Sequence, residues 1–150
     1  MKPASAPFQN KEALMVRPII KDIVFLKRKS VPASKADIRV IEDLKDTLKA
    51  HRDGCVGMAA NMIGFSKRII IIDSGLGYIV MLNPVIVRKQ GRFEAEEGCL
   101  SLAGTRKTAR YENITVRYTG EDFRQHQGDF SGFTAQIIQH ECDHLEGIII

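Results

Sequence analysis

Apolar residues Ile38, Ile41, Leu44 and Leu48 recur at spacings of three and four, which predicts an amphipathic helix over residues 34 to about 52. A Ser34-x-x-Asp37 capping box opens it. A second helical pattern closes the chain in FTAQIIQHECDHLEG, residues 133–147, with Gly147 as its stop. Between the two the pattern turns strand-like. KRIIIID, residues 67–73, reads as a buried strand, and residues 74–77 as a turn. Further strands are expected in GYIVMLNPVIV, interrupted at Pro84, and in RFEAEEG, RKTARY and NITVRY.

Short strands set between two helices, with no Rossmann or P-loop spacing, predict an α+β domain with mostly antiparallel sheet and a C-terminal helix. At 150 residues the chain is expected to form a single domain over 1–150, with residues 1–16 as a loosely ordered N-terminal arm. A net charge of +4 with signs well mixed is too small to predict specific nucleic-acid binding. No run approaches the roughly 20 apolar residues of a membrane helix, and the N-terminus lacks a secretory pattern, so no membrane association is expected. Cys55, Cys99 and Cys142 are odd in number and contain no CxxC pair, which fits a reducing, cytoplasmic setting with free or metal-bound thiols.

The chemistry concentrates in QHECDHLEG, residues 139–147. Positions four apart share a helix face, so His140 and His144 can reach one metal ion, while Glu141 sits beside a water on that ion, placed for proton transfer. Two histidines and an acid on a solvated helix face are the plain alternative. A hydrolytic site of this kind needs one further protein ligand. His51, His126, Cys55, Cys99 and several acids are candidates, and EEGCLSL is the most informative neighbourhood, because Cys99 follows Gly98 in a tight connection between strands.

Three segments in order, GMAA at 57–60, EGCLS at 97–101 and HECDH at 140–144, resemble the three motifs of the peptide deformylases. The resemblance spans roughly residues 17–148. It implies a deformylase-like fold and a hydrolase that removes the formyl group from the N-terminal formylmethionine of nascent peptides, releasing formate. It also implies that Cys99, His140 and His144 bind one divalent ion, Fe(II) foremost, with Ni, Co or Zn as substitutes. Glu141 would handle the proton, and the backbone N–H of Leu100 would meet the formyl oxygen. The implied partner is an N-formylmethionyl peptide close to the ribosome. Gly57, Met58, Met62, Arg106 and Ile137 are the expected substrate contacts, with Met58, Met62, Ile63 and Ile137 forming an apolar recess for a methionine-like side chain.

Two positions depart from the family's first motif, G-x-G-x-A-A-x-Q. Cys55 replaces the first glycine, and Met62 replaces the glutamine that donates its amide hydrogen to the developing oxyanion. Met62 has no such donor; Asn61 beside it carries an amide, yet neighbouring residues point in different directions. A second reading follows: a deformylase-like metal- and peptide-binding protein with weak or lost catalysis. A zincin-type protease is disfavoured because it leaves EGCLS unexplained.

Overall fold

Five strands pair in sequence order, all antiparallel, into one sheet in the computed structural model, which describes residues 15–149. The expected N-terminal arm, residues 1–16, falls almost wholly outside that range. The strands are β1 (Gly57–Ala59), β2 (Ile69–Asp73), β3 (Tyr78–Cys99), β4 (Leu102–Thr119) and β5 (Gln125–Ser131). Helices α1 (Ile23–Leu26) and α2 (Ile38–Ala50) precede the sheet, and α3 (Gly132–Leu145) follows it, packing on β1, β2, β4 and β5. The α+β class and the antiparallel sheet agree with the pattern of the sequence.

The expected capping box caps the 3-10 turn over Lys35–Asp37 that leads into α2, with Ser34 N–H donating to Asp37 Oδ2 at 2.9 Å. The buried stripe of α2 is rotated from the expected one. Ile38 is 56% exposed, and Val40 joins Ile41, Leu44 and Leu48 in the core. The reason is the helix geometry itself: Ile38 lies across α2 from the buried Val40, Asp43 and Thr47, and so faces solvent.

Strands β3 and β4 are longer than the hydrophobic pattern shows. Pro84 does not interrupt β3; the register shifts between Leu82 and Val85 and the strand continues. A proline lacks the N–H that a ladder needs, and a bulge leaves that position unpaired. Asn83 anchors the bulge with φ at 52°. Its amide donates to the Ala33 carbonyl at 3.0 Å and its Oδ1 accepts from the Ala33 N–H at 2.8 Å. RKTARY and NITVRY are one strand, not two, and β5, QHQGDFS, has no alternation by which it could have been read.

Helix α3 ends as expected at Gly147. Ile148 N–H donates to the Asp143 carbonyl at 3.0 Å and Gly147 N–H to the His144 carbonyl at 3.1 Å, the two bonds of a Schellman motif. Gly147 has φ at 76°, and a Cβ there would collide with the Lys27 carbonyl. Only glycine fits that stop. The C-terminal end of α3 is thereby held against the segment that follows α1, where Ser30 N–H also donates to the Leu145 carbonyl at 2.9 Å.

Candidate metal centre

Two elements bring three donor atoms together. Helix α3 sets His140 Nε2 3.2 Å from His144 Nε2, as the i, i+4 spacing requires. The end of β3 brings Cys99 Sγ to 3.4 Å from His144 Nε2. One donor atom from each of Cys99, His140 and His144 lies within 4.8 Å of the others. Bonds of about 2.0–2.1 Å to nitrogen and 2.3 Å to sulfur around a tetrahedral ion separate the donors by about 3.4–3.6 Å, so the donor set fits a divalent ion. The turn after β3 supports the sulfur, since Ser101 N–H points at Cys99 Sγ at 3.5 Å.

Buried Glu97 stands behind His140. His140 Nδ1 donates to Glu97 Oε1 at 2.7 Å, which leaves Nε2 as the ring nitrogen aimed at the cluster. The same carboxylate accepts two hydrogen bonds from Arg110, at 2.9 and 2.7 Å, and one from Gln136 Nε2 at 2.9 Å. Arg110 also reaches Asp143 Oδ2 at 2.8 Å. Burial works to raise the pKa of Glu97, but hydrogen bonds from His140, Arg110 and Gln136 hold it at about 2. Burial likewise opposes charge on His140, and is outweighed by hydrogen bonding to Cys99 and Glu97, which raises its pKa to about 10 in the metal-free protein. His144 goes the other way, to about 3, because it is buried beside the charge of His140.

Glu141 is buried with no hydrogen-bond partner for Oε1, and burial raises its pKa to about 7. Gly57 explains how β1 comes so close. A Cβ there would lie 2.6 Å from Ile137 Cγ2 and 3.0 Å from Glu141 Oε2. Between β1 and α3 opens a cleft of about 470 Å³, lined by Gly57, Met62, Leu100, Ile137, His140 and Glu141 among others.

Not every expected contact reaches this cleft. Met58 is fully buried in the core because β1 sends alternate side chains to opposite sides, and Ile63, in the 3-10 turn over Ala60–Ile63 that follows, is nearly so. Arg106 does not line it either; its Nη1 folds back onto the Ala103 carbonyl at 3.3 Å. Asn61 is not in its wall, and its amide is engaged with the His144 carbonyl at 2.9 Å. Met62 Sδ faces the Ala59 N–H at 3.5 Å. Cys55 lines the cleft with its thiol donating to the Gly57 carbonyl at 3.0 Å. Sequence reasoning missed Glu97, Arg110 and Gln136. For Glu97 a signal exists: it lies two residues before Cys99 on a strand, and so on the same face.

The family model described as polypeptide deformylase matches residues 16–150. A peptide deformylase from Clostridium beijerinckii is 56% identical over 136 residues, 91% of this chain and 100% of the relative. One from Desulforudis audaxviator is 42% identical over 135 residues, 88% of this chain and 84% of the relative. The crystal structure of a peptide deformylase from Legionella pneumophila superposes with a TM-score of 0.81 at 32% identity, covering 89% of this chain and 83% of that one. The actinonin-bound class I type b peptide deformylase from Acinetobacter baumannii gives 0.79 at 34% identity, over 90% and 95% of the two chains. The chain therefore belongs to the peptide deformylase family, metal-dependent hydrolases that remove the formyl group from the N-terminal methionine of new peptides.

Proposed function

We propose that this protein deformylates N-formylmethionyl peptides at the cleft between β1 and α3, with Cys99, His140 and His144 holding one divalent ion. The convergence of one thiol and two imidazoles beside a buried, unpartnered carboxylate carries the reading. What the ion supplies when bound is Lewis acidity, which lowers the pKa of a water toward neutrality. Glu141, with a pKa of about 7, can take a proton from the attacking water and return it to the departing amine. Carbon–nitrogen cleavage then gives formate and a free amino terminus. Glu97 keeps the His140 ring in place through Nδ1. The Leu100 backbone N–H is assigned to the formyl oxygen, and Gly57 admits the peptide next to Glu141. Met62 and Ile137 give the cleft an apolar wall for the methionine side chain.

Fe(II) is the proposed ion, with Ni, Co or Zn as substitutes, since a mixed thiolate and imidazole set suits all of them. The setting proposed is the cytoplasm, close to the ribosome, without specific nucleic-acid or membrane binding; among the described residues no helix is long and apolar enough to cross a membrane.

Met62 gives the oxyanion no donor, and Asn61 does not replace it, because its amide is engaged with the backbone of α3. Turnover is therefore lower than the fold would allow, and Met62→Gln is expected to raise it by about 10²-fold. The test is formate release from formyl-Met-Ala-Ser by iron- or nickel-loaded protein. Release no faster than that of the Glu141→Ala variant would end the reading of this site as a working hydrolase.

A further inference from the structure

Gln136 is a half-buried amide in the cleft wall, between Phe133 and Ile137 on the face of α3 that carries His140. Its Nε2 lies 2.9 Å from Glu97 Oε2, an oxygen that already accepts from Arg110. The Arg110 guanidinium donates to both oxygens of that carboxylate, which makes it an acceptor, so the nitrogen of the amide, and not its oxygen, faces Glu97. The orientation of Gln136 is fixed by that contact. One N–H is used there; the second has no protein partner among the described residues.

A primary amide in a pocket for a linear side chain is wasteful unless the side chain offers an acceptor. A hydrocarbon chain gives nothing to an N–H, and filling the pocket with one strips water from the amide without replacing its hydrogen bond. A thioether sulfur is a weak acceptor. The amide therefore separates two side chains of nearly equal size and shape by whether they carry sulfur.

We infer that Gln136 is a specificity-determining residue, whose free N–H reads the sulfur of the substrate's methionine and sets the site against norleucine of the same length. The inference rests on the deformylase reading of the cleft. Gln136 is not a catalytic residue, since its amide lies behind His140, on the Nδ1 side of the ring.

The experiment compares kcat/KM for formyl-Met-Ala-Ser and formyl-norleucyl-Ala-Ser in the metal-loaded protein and in Gln136→Leu and Gln136→Met. Each variant removes the donor while keeping an apolar, helix-compatible side chain, and the second also keeps the chain unbranched. The native protein is expected to prefer methionine by roughly two- to tenfold, the worth of one modest hydrogen bond, and both variants to bring the ratio to about one. A ratio of two substrates cancels any general damage done through Glu97. Equal rates on both peptides in the native protein, or a preference that survives in the variants, overturn the assignment and leave deformylation standing. Absence of formate from either peptide overturns deformylation itself, and the assignment with it.

Discussion

Helices α2 and α3 are nearly equal in length, at 13 and 14 residues, yet they bury opposite chemistry. The inner face of α2 is Val40, Ile41, Leu44 and Leu48, and its two buried polar residues are satisfied. Asp43 pairs with Arg17 at 2.9 Å, and Thr47 donates to the Asp43 carbonyl at 2.8 Å. On α3, Gln139, His140, Glu141 and His144 are buried beside Ala135, Ile137, Ile138 and Leu145. Glu141 Oε1 and His144 Nδ1 have no hydrogen-bond partner among the described residues. A buried polar group left unsatisfied costs about 1–3 kcal/mol. Helix α2 therefore contributes stability, whereas α3 carries an arrangement that local packing opposes and that the rest of the fold sustains for its chemistry.

Exchanging the two roles should be impossible, which makes the contrast testable. Glu141→Gln is expected to lower kcat by about 10²–10⁴-fold, the span for loss of a positioned acid–base group, while the protein stays folded. Leu44→Ala on α2 should do the reverse, costing roughly 2–5 kcal/mol in denaturant unfolding with kcat of the folded enzyme unchanged. A Leu44→Ala protein that lost kcat in proportion to stability would erase the distinction.

The same Glu141→Gln change should also stabilise the metal-free fold at high pH. Burial raises the folded pKa of Glu141 to about 7, above its usual 4.5. Its contribution to stability is then full below about pH 4.5 and is lost as pH rises through about 7. The glutamine variant escapes that loss, gaining up to roughly 3 kcal/mol over the native chain by pH 8, readable from paired urea melts at pH 4 and pH 8.

Metal loading should show its own pH slope. With its ring held protonated below about pH 10 by Cys99 and Glu97, His140 must release a proton to become a ligand. Apparent affinity should climb about tenfold per pH unit over the neutral range, with proton release seen by calorimetry in buffers of different ionisation enthalpy. An affinity flat from pH 6 to 8 would mean the ring is already neutral. The smallest effect lies at the start of α2, where Ser34→Ala removes half of the capping box for a loss of about 1 kcal/mol and no change in formate release.

These two helices also differ in how far they could be read in advance. The stripe of α2 was legible except at Ile38, which keeps the three- and four-residue spacing yet stands across the helix from the buried Val40 and Thr47. For the sheet, Ile69 to Ile72 could not be missed, but the length of β3 could. Pro84 reads as a break until one sees the bulge that Asn83 ties to Ala33. Polar β5 is a strand only because β4 offers it a partner. At the site, Met58 and Met62 look equivalent in the sequence; strand alternation sends the first into the core, and the 3-10 turn over Ala60–Ile63 leaves the second at the cleft wall.

What the sequence determined by itself is local. His140 and His144 face the same way because any α-helix puts residues four apart on one side, and Gly147 ends that helix because no other residue fits its backbone. The arrival of Cys99, the Glu97–Arg110–Asp143 chain behind His140, and the closeness of Gly57 to Glu141 were decided only by tertiary structure. Each joins residues beyond the reach of local spacing, and the distance between such residues is set by strand register and by the packing of α3 on the sheet, which no short-range rule contains.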